Sequence, residues 1–87
     1  MKIVYHRSFI KRYEKLPPHL QGKVKATILI LAENPFAPTL KNHALSGTMD
    51  TKRAVSVTGD LRIIYTTTDK HITAFLLDVG THNQVYS

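Results

Sequence analysis

The chain has 87 residues, too few for more than one domain, since single cores run from roughly 50 to 200 residues. With 43% hydrophobic residues it is not a mainly disordered chain, and without cysteine it has neither a disulfide framework nor a thiolate metal site. Twelve Lys and Arg against six Asp and Glu leave a net charge of +6, which points to a polyanionic partner, either nucleic acid or an acidic protein.

Lys2-Ile3-Val4-Tyr5 reads as a short first strand, with a β-branched pair and an aromatic. Ser8 is placed to cap the helix that follows. Phe9, Tyr13 and Leu16 recur there at helical spacing, with Arg7, Lys11, Arg12 and Lys15 as a basic face. Pro17-Pro18 stops that helix, and Pro18 suits the first position of the next. In the second helix Leu20, Val24, Ile28 and Leu31 form one apolar stripe, which Leu29 and Ile30 are expected to widen. Asn34-Pro35 ends it. The stretch Ala26 to Ala32 is too short to span a bilayer, and Met1 to Tyr5 lacks the apolar core of a signal peptide. A cytoplasmic protein with no membrane partner is expected.

The second half supplies a surface for the helical hairpin. Leu40 to Leu45 adds a short strand or an extended lead-in. Lys52 to Val57, Leu61 to Thr67 and Ile72 to Val79 are rich in Val, Ile, Thr, Tyr and Phe, as strands are. Gly59-Asp60 and Asp69-Lys70 separate them as hairpin signals. The fold class expected is α+β: an amino-terminal strand, a two-helix hairpin, then a three- to four-stranded antiparallel meander with the helices on one face. At the end, Phe75, Leu77 and Val79 are expected to anchor the last strand, and Gly80 to turn the backbone so that His82 lies at the sheet's edge.

No phosphate-binding glycine loop, His-Glu-x-x-His or Gly-x-Ser-x-Gly occurs. The five histidines, at 6, 19, 43, 71 and 82, are not spaced as metal ligands on one helix, and no metal or cofactor is expected. What remains is acid–base work by His and Asp, with Arg or Lys stabilising negative charge. RNA can be cut this way because its own 2′-hydroxyl is the nucleophile. The protein then needs a base for that hydroxyl, an acid for the leaving 5′-oxygen and cations for the phosphorane. Histidine suits either proton role. His6, His19 and His71 read as surface residues, and His43 falls in an irregular stretch where functional residues often lie. Arg62 and Ile64 face one side of their strand; Leu61, Ile63 and Tyr65 face the other. Spacing alone favours Asp60 as a turn residue with Arg62 as its salt-bridge partner. The residues alone lead no further than a basic α+β domain, with metal-free RNA cutting or RNA binding among the functions open to it.

The proline-broken hairpin, His43-Ala44-Leu45-Ser46-Gly47, Gly59-Asp60-Leu61-Arg62-Ile63-Ile64-Tyr65 and the closing Val79-Gly80-Thr81-His82 together resemble the RelE/ParE superfamily of bacterial type II toxins, most closely its YafQ-like branch. The resemblance spans essentially the whole chain. It implies a RelE-like fold and a ribosome-dependent endoribonuclease that cleaves mRNA. It also implies a cognate antitoxin as partner, and contact with operator DNA only through the antitoxin complex. Matched residue by residue, the branch's catalytic groups fall on His43, Asp60 and His82, and the superfamily's arginine for the scissile phosphate falls on Arg62. Lys41, Lys52 and Arg53 are the residues expected to contact RNA besides these. One departure stands out: where YafQ has a further active-site histidine four residues before the aspartate, this chain has Ser56. Two alternatives within the resemblance are a ParE-like inhibitor of DNA gyrase, which would need neither His43 nor His82, and a degenerate toxin acting as an antitoxin-binding co-repressor.

Overall fold

The computed structural model describes residues 1–47, 51–68, 70 and 72–86. Strand β1 (Lys2–Tyr5) is followed by helices α1 (Arg7–Glu14) and α2 (Pro18–Glu33), a 3-10 turn at Pro38–Leu40, and strands β2 (His43–Ala44), β3 (Arg53–Ser56), β4 (Leu61–Thr67) and β5 (Thr73–Thr81). A short helix, α3 (His82–Tyr86), closes the described chain. The five strands form one sheet in the order β1-β5-β4-β3-β2. β2 to β5 run as the expected antiparallel meander, and β1 lies parallel to β5 with Lys2 opposite Thr73 and Tyr5 opposite Leu76. Parallel pairing of β1 and β5 is possible because the helical hairpin and the whole meander supply a long connection.

The chain leaves β1 with the His6 N–H bonded to the Leu76 carbonyl at 2.9 Å, so the helix begins at once. His6, not Ser8, is therefore the cap of α1: its Nδ1 accepts from the Ser8 N–H at 3.2 Å. The Ser8 hydroxyl is used elsewhere, donating to the Leu77 carbonyl at 2.6 Å and pinning α1 beside β5. Pro18 sits in the first turn of α2 as expected, and Asn34 is its C-cap. The buried face of α2 is Val24, Thr27, Ile28 and Leu31. Thr27 holds a core slot because its hydroxyl donates to the Lys23 carbonyl one turn back, at 2.9 Å. The stripe is thus narrower than expected: Leu29 and Ile30 do not widen it, and Leu29 is 68% exposed.

The main core lies between the hairpin and one face of the sheet, where Phe9, Leu31, Ile63, Tyr65, Leu76 and Val79 are fully buried. Ala54, Ile64 and Val85 form a smaller cluster, with Leu45 and Tyr86 packed against it, and α3 belongs to this second cluster. By strand alternation Ile64 and Ile63 point to opposite faces, so α3 covers the face the hairpin leaves open. The long helices do share one face, but α3 does not.

Three local expectations are corrected. The β3–β4 connection is a four-residue loop, closed by the Val57 N–H to the Leu61 carbonyl at 2.8 Å, rather than a two-residue Gly59-Asp60 turn. In β5, Ile64 pairs with Asp78 and Tyr65 with Leu76, which leaves Leu77 as a bulge residue. The bulge shifts the alternation, so Ala74, Leu76 and Val79 are buried instead of Phe75, Leu77 and Val79. Gly80 is a strand residue opposite Arg62, and β5 is an inner strand; His82 therefore sits at a strand's end and not at a lateral edge. Asp69 and His71 lie outside the described residues. No helix among those described is long and apolar enough to cross a membrane.

Candidate active site

Thr81-His82-Asn83-Gln84 makes a capping box that starts α3. The Thr81 N–H donates to Gln84 Oε1 at 2.9 Å, and the Gln84 N–H donates to Thr81 Oγ1 at 3.3 Å. His82 and Tyr86 are then one turn apart on the same side of the helix. Their rings meet edge to face with centroids 4.4 Å apart. Val85, 6% exposed, anchors the helix on Ala54 and Ile64. Gly80 makes the close approach possible: a Cβ there would lie 2.7 Å from Gln84 Oε1 and 3.1 Å from Arg12 Nη1. Arg12 reaches this point from α1, its Nε 3.7 Å from Asp78 Oδ1.

A cleft of about 550 Å³ opens between α3 and the sheet, lined by His43, Leu45, Ser46, Gly47, Arg62, His82 and Tyr86. It gathers two imidazoles and a guanidinium from three separate elements, β2, β4 and α3. Arg62 holds the β3–β4 loop by its main chain, with Nη1 donating to the Gly59 carbonyl at 3.3 Å and the Asp60 carbonyl at 3.1 Å. The salt bridge that spacing favoured is replaced by these bonds, and no Asp60 carboxylate ion pair occurs among the described residues. His43 Nδ1 lies 2.9 Å from the Lys41 carbonyl oxygen. Because a carbonyl only accepts, Nδ1 is the donor in this bond, and in the neutral ring the lone pair is on Nε2. Lys41 presents that carbonyl from a left-handed backbone, φ 50°.

Of the residues singled out from the sequence, His43, Arg62 and His82 meet in the cleft. Asp60 is exposed at the loop's end and outside the lining. Ser56, the point of departure from the branch, pairs with Arg62 across β3 and β4. Arg53 lies opposite Tyr65, whose ring belongs to the main core, so its side chain leaves the sheet on the face away from the cleft. Its Nε donates to Asn42 Oδ1 at 2.8 Å. Leu45, Ser46, Gly47 and Tyr86 also line the cleft and are not among the residues expected at the site; for Tyr86 the Thr-x-x-Gln spacing at 81–84 is the signal that places it on a helix with His82. Among the described residues no group of three or more His, Cys, Asp or Glu is placed to hold a metal ion.

A helical hairpin packed on one face of a five-stranded sheet is a fold shared with solved structures of YafQ and of a YoeB/ParE toxin. A family model described as the bacterial toxin of type II toxin-antitoxin systems, YafQ, matches residues 1–87. The chain belongs to the YafQ toxin family. The YafQ crystal structure from Escherichia coli superposes with a TM-score of 0.83 at 24% identity, covering 99% of this chain and 98% of that one. A copper-bound mutant toxin from Helicobacter pylori is 28% identical, with a TM-score of 0.77 and 98% of each chain covered. YafQ in the Escherichia coli DinJ–YafQ toxin–antitoxin complex aligns with a TM-score of 0.79 at 24% identity, over 99% of this chain and 97% of that one. No curated protein sequence matches the chain at a significant level.

Proposed function

We propose that this type II toxin is a ribosome-dependent endoribonuclease that cleaves mRNA in the cleft between α3 and the sheet. The observation that carries this reading is the convergence of His43, His82 and Arg62 from distant parts of the chain on one open cleft. The chemistry needs those three types of group. His43 Nε2, with the lone pair of the neutral ring, takes the proton of the RNA 2′-hydroxyl as that oxygen attacks the phosphorus. His82, in its protonated form, gives a proton to the departing 5′-oxygen. Arg62 stabilises the phosphorane between them. The products are a 2′,3′-cyclic phosphate and a 5′-hydroxyl, and the step as written uses no metal. Asp60 contributes through its carbonyl, which helps to orient the Arg62 guanidinium. Tyr86 fixes the His82 ring by edge contact and offers its own ring to the substrate.

The solved toxin–antitoxin complexes of this fold support a cognate antitoxin as partner. The surface that fits it lies along the hairpin, where Tyr5, Ile10 and Leu29 are large, apolar and exposed. Lys25 lines the same grooves as Tyr5, Ile10 and Leu29, and Arg7, Lys11 and Lys15 are exposed at the first helix. An antitoxin segment with one apolar side and acidic flanks complements both features.

The rival within the fold is a gyrase inhibitor, which has no use for paired histidines in a cleft. Induction of the protein in a growing bacterium, followed by translation rate and plasmid supercoiling, separates the two. The endoribonuclease arrests translation with supercoiling unchanged. Relaxed plasmid with translation continuing would establish the rival, and no growth effect would leave a co-repressor.

A further inference from the structure

Phe36 is 59% exposed, in the turn after α2, yet its backbone and ring both have partners. Its N–H donates to Asn34 Oδ1 at 3.3 Å, and the Ala37 N–H donates to the Asn34 carbonyl at 3.0 Å. The Arg53 guanidinium covers one face of the ring, 5.3 Å from the centroid. That guanidinium is itself clamped, with Nε on Asn42 Oδ1 at 2.8 Å. Asn42 Nδ2 donates to the Pro35 carbonyl at 2.7 Å and to the hydroxyl of Tyr65, which is 1% exposed. A buried tyrosine, an amide and an arginine thus back an aromatic that is more than half exposed. Lys41 and Lys52 flank this network in sequence, beside Asn42 and Arg53. The network also joins the cleft, because Asn42 lies between Lys41 and His43, which are themselves bonded to each other.

We propose that Phe36 is a stacking platform for an unpaired RNA base, with Arg53 setting the ring and Lys41 and Lys52 drawing the neighbouring phosphates. The inference rests on the reading of the chain as an RNA-cutting toxin and adds a second contact to it, around the β2 edge from the cleft. A nucleobase is the ligand that suits a flat, exposed aromatic ring beside fixed positive charge. The value of one stacked base corresponds to roughly 5- to 150-fold in affinity. The arrangement also accounts for Arg53, which the strand's alternation turns away from the cleft.

The chain has no tryptophan, so Phe36→Trp makes the platform its own fluorescent reporter. The probe is a 2′-O-methyl oligoadenylate, which cannot be cleaved by attack of the 2′-oxygen; its binding is followed independently by the anisotropy of a label. Quenching of the tryptophan on saturation is expected, with none from heparin, which carries charge but no bases. Phe36→Leu, with an unchanged melting midpoint, should weaken oligonucleotide binding about fivefold or more. Absence of binding, binding without quenching, or equal affinity for Phe36→Leu would overturn the platform. So would a tryptophan that responds to the antitoxin and not to the oligonucleotide. Since no outcome depends on cleavage, failure of the endoribonuclease reading is seen separately, as translated message left intact by the wild-type protein.

Discussion

Gly80→Ala probes how the carboxy-terminal helix is seated. The new methyl would lie 2.7 Å from Gln84 Oε1 and 3.1 Å from both Gln84 Cβ and Arg12 Nη1. Gln84 Oε1 is the end of a flexible side chain, but it already accepts the Thr81 N–H at 2.9 Å. Moving it away forfeits that capping bond, at about 1 kcal/mol. The residual crowding at Gln84 Cβ adds about 1 kcal/mol, at the low end for overpacking. Restricting the unfolded chain at a former glycine returns roughly 0.5–1 kcal/mol. The net loss is about 1 kcal/mol, or a fall of ~4–8 °C in melting midpoint for a domain of this size. The local effect is larger than the global one, because α3 is tied down mainly by Val85 and Tyr86. Two measurements report it: urea unfolding for the whole domain, and the nuclear Overhauser contact between the His82 and Tyr86 rings for α3. The contact should weaken in Gly80→Ala. In a Gln84→Ala background the substitution should cost measurably less, since the clashing Oε1 is gone. Equal cost in both backgrounds, with the ring contact intact, would refute the proposed seating.

Arg62→Gln forfeits the two exposed bonds to the β3–β4 loop, so the melting midpoint should fall modestly, while mRNA cleavage should fall by ~10²-fold or more, as expected for loss of a cation at the phosphorane; single-turnover cleavage on programmed ribosomes measures it. Leu29→Asp places a charge on a residue that is 68% exposed, so stability should move by less than about 0.5 kcal/mol. Antitoxin affinity, read by calorimetry, should nevertheless fall at least ~10-fold if the hairpin patch is the docking surface. Ribosome binding should weaken steeply with added salt, because the net charge of +6 acts through phosphate contacts; sedimentation at two salt concentrations would show it.

Much of the fold was legible because its signals are local. Pro17-Pro18 and Asn34-Pro35 bound α2, and β-branched runs mark β3, β4 and β5 in the order found. The features that were not legible depend on pairing between distant residues. The bulge at Leu77 exists only in the register of β4 against β5, and it exchanges which of Leu76 and Leu77 is buried. His6 became the cap of α1 because Leu76 fixes the end of β1, a contact across most of the chain. Thr27 in a core position disguised the true stripe of α2 and lent Leu29 and Ile30 a burial they do not have. In the site, His43 and His82 are far apart in a chain whose strand order brings their elements to one cleft, which spacing cannot show. Tyr86 is a different case: the capping box at Thr81 is present in the sequence, but the five-residue helix it starts is too short to show a periodicity.

The proposed reaction cuts mRNA by the message's own 2′-hydroxyl, with His82 as proton donor. The most direct test uses purified toxin and ribosomes programmed with a short message, in the ribose form and with 2′-deoxyribose at the scissile nucleotide. Wild-type protein should cut the first, leaving a 2′,3′-cyclic phosphate and a 5′-hydroxyl, and leave the second whole. His82→Ala should bind the same ribosomes and cut the ribose form ~10²-fold more slowly or worse. Cleavage of the deoxy-substituted message, or full activity of His82→Ala, would contradict the account.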